Sequence, residues 1–230
     1  MSYQYTYLLI DLLGLLIWLP LFFVRKDTRK EMIIMSLLFG FVAIVTEPIY
    51  LLDWWKPLTI TGTAVGLEDF LYGFMVGGIG SVIYEVIFQK RMQTKRMSES
   101  RKERQNIFFY FFGGVFAFVF FGSFLFLGFN TLISTIIAFI FGLTIIFIRR
   151  KDLIINSLVT GILLLLISFI IYSIGEVIFP GWVRIFWFFK NVPDIIIFNV
   201  PIDDVIFVLL AGSFIAPLYE FWQEVKLRRA

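Results

Sequence analysis

The residues of this chain that can do chemistry are its carboxylates. There are 17 Asp and Glu, while histidine and cysteine are both absent. Zinc, haem and iron–sulfur sites therefore lose their usual ligands. Triads built on histidine or cysteine are excluded, and no disulfide framework can form. Chemistry must rest on carboxylates, hydroxyls, amides or aromatics. Asp27, Glu31, Glu99, Glu103, Asp152 and Glu224 sit among Lys and Arg. The others (Asp11, Glu47, Asp53, Glu68, Asp69, Glu85, Glu176, Asp194, Asp203, Asp204 and Glu220) lie in or beside long apolar runs.

Their spacing is ordered. Glu68-Asp69 and Asp203-Asp204 are adjacent pairs, each opening an apolar run. Two neighbouring buried carboxyls can share one proton at neutral pH, because burial and a like-charged neighbour both oppose the second charge. The plainer reading is helix capping, since acids at helix N-termini complement the dipole. Capping does not explain Glu47 and Glu176, which come late in their runs, where the dipole disfavours a negative charge. Asp11 comes early in the first run and joins the set as an accessory candidate. Asp53 and Asp194 read as interfacial. Glu85 and Glu220, each preceded by Tyr, read as anchors paired with basic residues.

The elements that must hold these acids are membrane helices. The chain is 60% hydrophobic and 16% charged, with a mean hydropathy of +0.90. Soluble chains are about 45–50% apolar and about 25% charged. Seven apolar blocks run at 7–24, 32–52, 68–88, 107–127, 132–148, 153–177 and 202–223. The fourth and fifth meet at Gly128-Phe129-Asn130, which predicts a tight hairpin. Every Lys and Arg except Lys56, Arg184 and Lys190 follows the first, third, fifth or seventh block. The positive-inside rule then puts the N-terminus outside and the C-terminus in the cytoplasm. A multi-pass protein of the plasma membrane is expected, with the first block retained rather than cleaved as a signal. Trp54, Trp55, Trp182 and Trp187 suit an outer aromatic belt. The basic run 90–104 reads as an inner loop facing anionic lipid, and nucleic acid is not an expected partner.

An internal repeat organises the blocks. Asp69 aligns with Asp204, Gly77 with Gly212, and Tyr84-Glu85 with Tyr219-Glu220, without a gap. Upstream, Glu47-Pro48-Ile49-Tyr50 resembles Glu176-Val177-Ile178-Phe179, and Phe23-Val24-Arg25-Lys26 resembles Phe147-Ile148-Arg149-Arg150. Residues 1–90 form a first three-helix unit and 131–230 a second. Residues 91–130 supply a basic loop and one joining helix. The odd joining helix makes this a parallel repeat about an axis along the membrane normal. That axis gathers the acids around one cavity on the outer side. Gly73-x-x-x-Gly77 and Gly212-x-x-x-Ala216 predict close helix packing.

The stretches Gly66-Leu67-Glu68-Asp69-Phe70-Leu71-Tyr72 and Pro201-Ile202-Asp203-Asp204-Val205-Ile206-Phe207 resemble the repeated acidic motif of the membrane lycopene cyclases that carry no flavin. The opening Tyr7-Leu8-Leu9-Ile10-Asp11-Leu12-Leu13 is similar as well. Two departures stand out: Gly66 replaces the motif's proline, and Asp203 replaces its glutamate. The resemblance implies two fused three-helix modules, a carotenoid-like isoprenoid substrate, and cyclisation of a polyene end group without a cofactor. It leaves open a cyclase with altered geometry, action on another isoprenoid, or a non-catalytic relative. Such chemistry needs an acid to protonate a double bond, an aromatic cavity to shelter the cation, and a base. Glu68 and Asp203 are the expected proton donors. Asp69, Asp204, Glu47 and Glu176 are expected to be second carboxylates or orienting groups. A proton- or cation-coupled transporter remains the alternative. A divalent-cation site for a diphosphate is a third reading. A retinal-binding protein is disfavoured, since the seventh block has no Lys near its middle. Oligomeric state is not legible.

Overall fold

A computed structural model describes residues 3–93, 98–191 and 193–229. Lys95 and Arg96 of the basic run lie outside the described residues. The chain is an all-α, multi-pass membrane protein. Its helices are α1 (Thr6–Val24), α2 (Arg29–Tyr50), α3 (Leu67–Ile87), α4 (Glu99–Leu125), α5 (Thr131–Arg149), α6 (Ile154–Ile178), α7 (Trp182–Phe186), α8 (Ile202–Ile215) and α9 (Leu218–Gln223). Among the described residues, seven segments are long and apolar enough to span: Tyr3–Val24, Arg29–Tyr50, Leu67–Ile87, Glu99–Leu125, Thr131–Arg149, Lys151–Ile178 and Ile202–Gln223. Large apolar side chains such as Leu16, Phe41, Phe118 and Leu166 are exposed on the outside of the bundle. In water that surface would be a liability, and in lipid it is the solvated face.

Two expected boundaries shift. The fourth helix begins at Glu99 rather than 107. The residues between are charged but include good helix formers, and Ser98 has the extended backbone of an N-cap. The seventh span is broken into α8 and α9. Pro217 has no N–H for the ladder, and it sits where the two pieces meet. The hairpin between α4 and α5 forms as expected. Gly128 takes φ +69°, a conformation suited to glycine, and the Asn130 side chain caps α5 by accepting from Ile133 N at 2.8 Å.

Short strands, invisible to a hydropathy reading, close the bundle's ends. Strand β1 (Lys90–Gln93) pairs antiparallel with β4 (Lys226–Arg229), setting Lys90 opposite Arg229. Strands β2 (Ile196–Ile197) and β3 (Val200–Pro201) make a small hairpin ahead of α8.

Packing rests on close approaches. α2 lies along α3, and α6 along α8. A Cβ on Gly73 would come within 2.3 Å of the Phe39 carbonyl, and one on Gly77 within 2.7 Å of that of Met35. A Cβ on Gly212 would meet the Gly161 Cα at 3.0 Å. The small-residue spacings thus mark close helix contacts, as expected. Two arginines make similar contacts. Arg25 pairs with Asp27 and donates to the Glu85 carbonyl at 2.7 Å. Arg150 pairs with Asp152 and donates to the Glu220 carbonyl at 2.9 Å.

Candidate functional site

The acids that open α3 are placed by the α3 N-terminus. Gly66 is the N-cap, and its N–H donates to Asp69 Oδ2 at 2.7 Å. The other oxygen, Oδ1, accepts from the Tyr7 hydroxyl at 3.0 Å, which ties α1 to α3. Glu68 is fully buried, and its Oε1 accepts from Ile60 N at 2.6 Å. Glu47, at the end of α2, interacts electrostatically with Asp69. Asp11 lies one helical turn past Tyr7, interacts electrostatically with Glu68 and Asp69, and is 0% exposed. Neither of its oxygens has a hydrogen-bond partner among the described residues.

The acids that open α8 are held differently. Asp203 Oδ2 accepts from Trp54 Nε1 at 2.5 Å, a bond from the α2–α3 connection to the start of α8. Asp204 Oδ2 accepts from the Tyr172 hydroxyl at 2.6 Å. Tyr72 packs its ring against Tyr7 and Trp55, at 6.3 and 6.2 Å, and lines the same cavity as Tyr172.

An aromatic layer covers this end. Trp54, Trp182 and Trp187 are buried, at 4%, 1% and 5% exposure. The expected outer aromatic belt is corrected for these three: their indoles are packed inside the bundle, and that of Trp54 bonds Asp203. The rings of Tyr7 and Trp55 are 5.2 Å apart, Trp55 and Trp187 5.5 Å, and Tyr172 and Trp187 5.9 Å. The backbones of Trp55 and Trp187 pair, and Phe188 N donates to the Trp54 carbonyl at 3.0 Å. Two distant loops thus form one cover.

Beneath the carboxyls lies an apolar cavity of about 40 Å³ between α1, α3, α6 and α8, lined by residues including Gly14, Tyr72, Met75, Leu164, Ile171 and Tyr172. A space of this size suits a water or two, so any larger occupant must displace the lining side chains. Gly14 is there because a Cβ would lie 1.7 Å from Met75 Sδ.

A family model described as lycopene cyclase matches residues 4–87 and 130–222. The chain belongs to the lycopene cyclase family. No curated protein and no solved structure matches it. In this lycopene cyclase family member Asp11, Glu47, Glu68 and Asp69 are brought together, and Asp203 and Asp204 form a second group at the start of α8. Glu176 is not brought into either. It is half-buried and accepts from Gly181 N at 2.6 Å, shaping the turn after α6, where Gly181 takes φ +82°. Asp53 accepts from Thr131 N and Oγ1 and fastens the α2–α3 connection to the head of α5. Asp194 pairs with Arg184 at the exposed surface.

Sequence reasoning missed the tyrosines. Tyr7 precedes Asp11 by four residues and Tyr72 follows Asp69 by three, so each shares a helix face with its acid. That spacing was the available signal.

Proposed function

We propose that this protein is a membrane-embedded cyclase of a lycopene-like polyene. The observation that carries this reading is two sets of buried carboxyls, one tied to Tyr7 and one to Tyr172, beside an apolar cavity walled by Tyr72 and Tyr172. The parallel repeat, the division at 1–90, 91–130 and 131–230, and an outward-facing carboxylate end belong to the same proposal. The similar contacts of Arg25 and of Arg150, one residue past the Arg149 that aligns with Arg25, support the repeat.

Asp11 takes the proton donor's role in place of Glu68 and Asp203. A buried carboxyl held by no donor suits a group that brings a proton, whereas Glu68 and Asp203 are held by an N–H each. The Asp11 proton adds to the terminal double bond of the polyene. The cation so formed is attacked by the neighbouring internal double bond, and a ring closes. The electron-rich faces of Tyr72, Tyr172 and Trp55 shelter the positive charge. A carboxylate of the second group, Asp204 with Asp203 beside it, then removes a proton. One proton is gained and one lost, so the product is an isomer and no redox partner enters the balance. Glu47, Glu68 and Asp69 orient Asp11, and Glu176 shapes the loop beside the site. An end group exceeds the cavity, so the substrate enters from the lipid by displacing side chains between α1 and α6.

A transporter would need a polar route to the opposite end. The apolar cavity lining at Ile79, Leu164 and Val208 makes the cyclase the better reading. Expression in a cell that accumulates lycopene, followed by pigment chromatography, tests the proposal. Cyclised product is expected. Unchanged lycopene, with the protein present in the membrane, overturns it.

A further inference from the structure

A second group of buried acids lies at the other end of the bundle. Glu68 and Glu85 both belong to α3, and at 1.5 Å per residue they are about 25 Å apart, so this group stands clear of the proposed reaction site. Glu31, in the first turn of α2, Glu85, in the last turn of α3, and Glu220, in α9, each offer a carboxylate oxygen within 4.8 Å of the other two. All three are at most 1% exposed.

The sequence reading pairs Glu85 and Glu220 with basic residues. The structure uses the neighbouring cations elsewhere. Arg25 holds Asp27 and the Glu85 carbonyl; Arg150 holds Asp152 and the carbonyls of Glu220 and Val225. Neither guanidinium bonds a carboxylate of the three. Both oxygens of the fully buried Glu31 have no hydrogen-bond partner among the described residues, and the carboxyls of Glu85 and Glu220 reach only each other on that side, where one shared proton can bridge them. Glu220 Oε1 accepts from Asn156 Nδ2 at 2.9 Å, which turns Oε2 away from that amide.

Capping does not explain the group. Glu31 suits a helix N-terminus, but Glu85 sits at a C-terminal end, where the dipole opposes a negative charge. An uncompensated buried carboxylate is costly, and three together more so. One carboxylate oxygen from each of three helices converges here, Glu31 having no partner at all among the described residues, and a cation would satisfy all three. A hard cation of calcium's class binds carboxylate oxygens at about 2.3–2.6 Å, so it can touch ligands up to roughly 5 Å apart. The three oxygens, all within 4.8 Å of one another, can therefore be touched by one such ion.

We infer that Glu31, Glu85 and Glu220 form a binding site for a hard divalent cation of calcium's size, which clasps α9 to α2 and α3. Two ligands come from residues 1–90 and one from 131–230. The bound ion thus fastens α9 to α2 and α3 beside the β1–β4 ribbon.

The test uses the full chain, purified in detergent, stripped with EDTA and desalted. Calcium chloride is added against sodium chloride of matched ionic strength, and thermal unfolding and bound radioactive calcium are read together. Saturable binding of one calcium per chain is expected, with a rise in melting temperature, since a ligand that binds only the folded state stabilises it. Glu85→Gln and Glu31→Gln should abolish both responses, and Asp194→Asn, at the exposed surface, should leave both intact. Should Glu85→Gln not fold, Glu220→Asp, which keeps the charge and withdraws one ligand, should weaken binding at least tenfold. Two results overturn the inference: wild type that binds no calcium at millimolar concentration and melts unchanged, showing that the three acids hold protons alone, or binding that survives these substitutions at full affinity.

Discussion

Tyr172 on α6 donates its hydroxyl hydrogen to Asp204 Oδ2 at 2.6 Å, and both side chains are buried. The bond fixes where the second group's carboxylate stands relative to the cavity, since Tyr172 is also part of the cavity wall. A hydrogen bond to a charged group contributes about 1.5–3 kcal/mol. Tyr172→Phe keeps the ring and removes the donor. Product formation should fall at least about tenfold with the protein still in the membrane. Pigment chromatography at equal protein levels reads this, and wild-type yield would show that Asp204 needs no such positioning.

Asp11→Asn removes the proposed proton donor while preserving shape. General acid catalysis contributes about 10²- to 10⁴-fold, so cyclised product should drop by about that factor. Glu68→Gln and Asp203→Asn should cost less. If Glu68→Gln or Asp203→Asn is instead the more damaging, the donor is misassigned.

Gly14 and Met75 offer a test of shape. A Cβ at Gly14 would collide with Met75 Sδ and close the cavity. Gly14→Val should strongly reduce product, and adding Met75→Ala should restore part of it by returning the lost space. A double variant no better than Gly14→Val would argue that the substrate does not sit there.

The seven spans were legible because the apolar blocks are long and the basic residues alternate between them. The break between α8 and α9 was written in Pro217 but lost in a reading that weighed hydropathy alone. The β1–β4 ribbon joins residues far apart in sequence, and no local pattern announces such pairing. At the site, Asp11, Glu47, Glu68, Asp69, Asp203 and Asp204 were legible as charges in the wrong solvent. Which of them cluster was not, because that depends on how α1, α3 and α8 approach. Glu176 aligned with Glu47 in sequence, yet its carboxylate serves the local turn at Gly181. The tryptophans misled because their indole N–H can be satisfied by water at an interface or, as for Trp54, by a buried carboxylate.

Gly73 lets α2 and α3 touch backbone to side-chain-free backbone. Gly73→Leu overpacks that contact, which costs typically about 1–3 kcal/mol and occasionally more. A lowered melting temperature in detergent is expected, and an unchanged one would mean the helices part without penalty.

Asp27, between α1 and α2, is held below the usual carboxylate range by the Arg25 guanidinium beside it. Because the folded value is depressed, the stabilisation is present above the unfolded value, about 3.9. It is lost as pH falls through the folded value. Asp27→Asn should therefore lower the melting temperature at neutral pH, and the difference from wild type should shrink as the pH drops below about 4. The pair is partly solvated, so the effect should be small and weaken with salt. A difference that grows on acidification would contradict the assignment.

The central claim is that a carboxyl proton is added to a polyene and the ring then closes. Membranes containing the protein, equilibrated in deuterated buffer and given lycopene, test it directly by mass spectrometry of the product. The account predicts a cyclised isomer carrying deuterium in each new ring. Cyclised product free of deuterium, or lycopene returned unchanged, would contradict it.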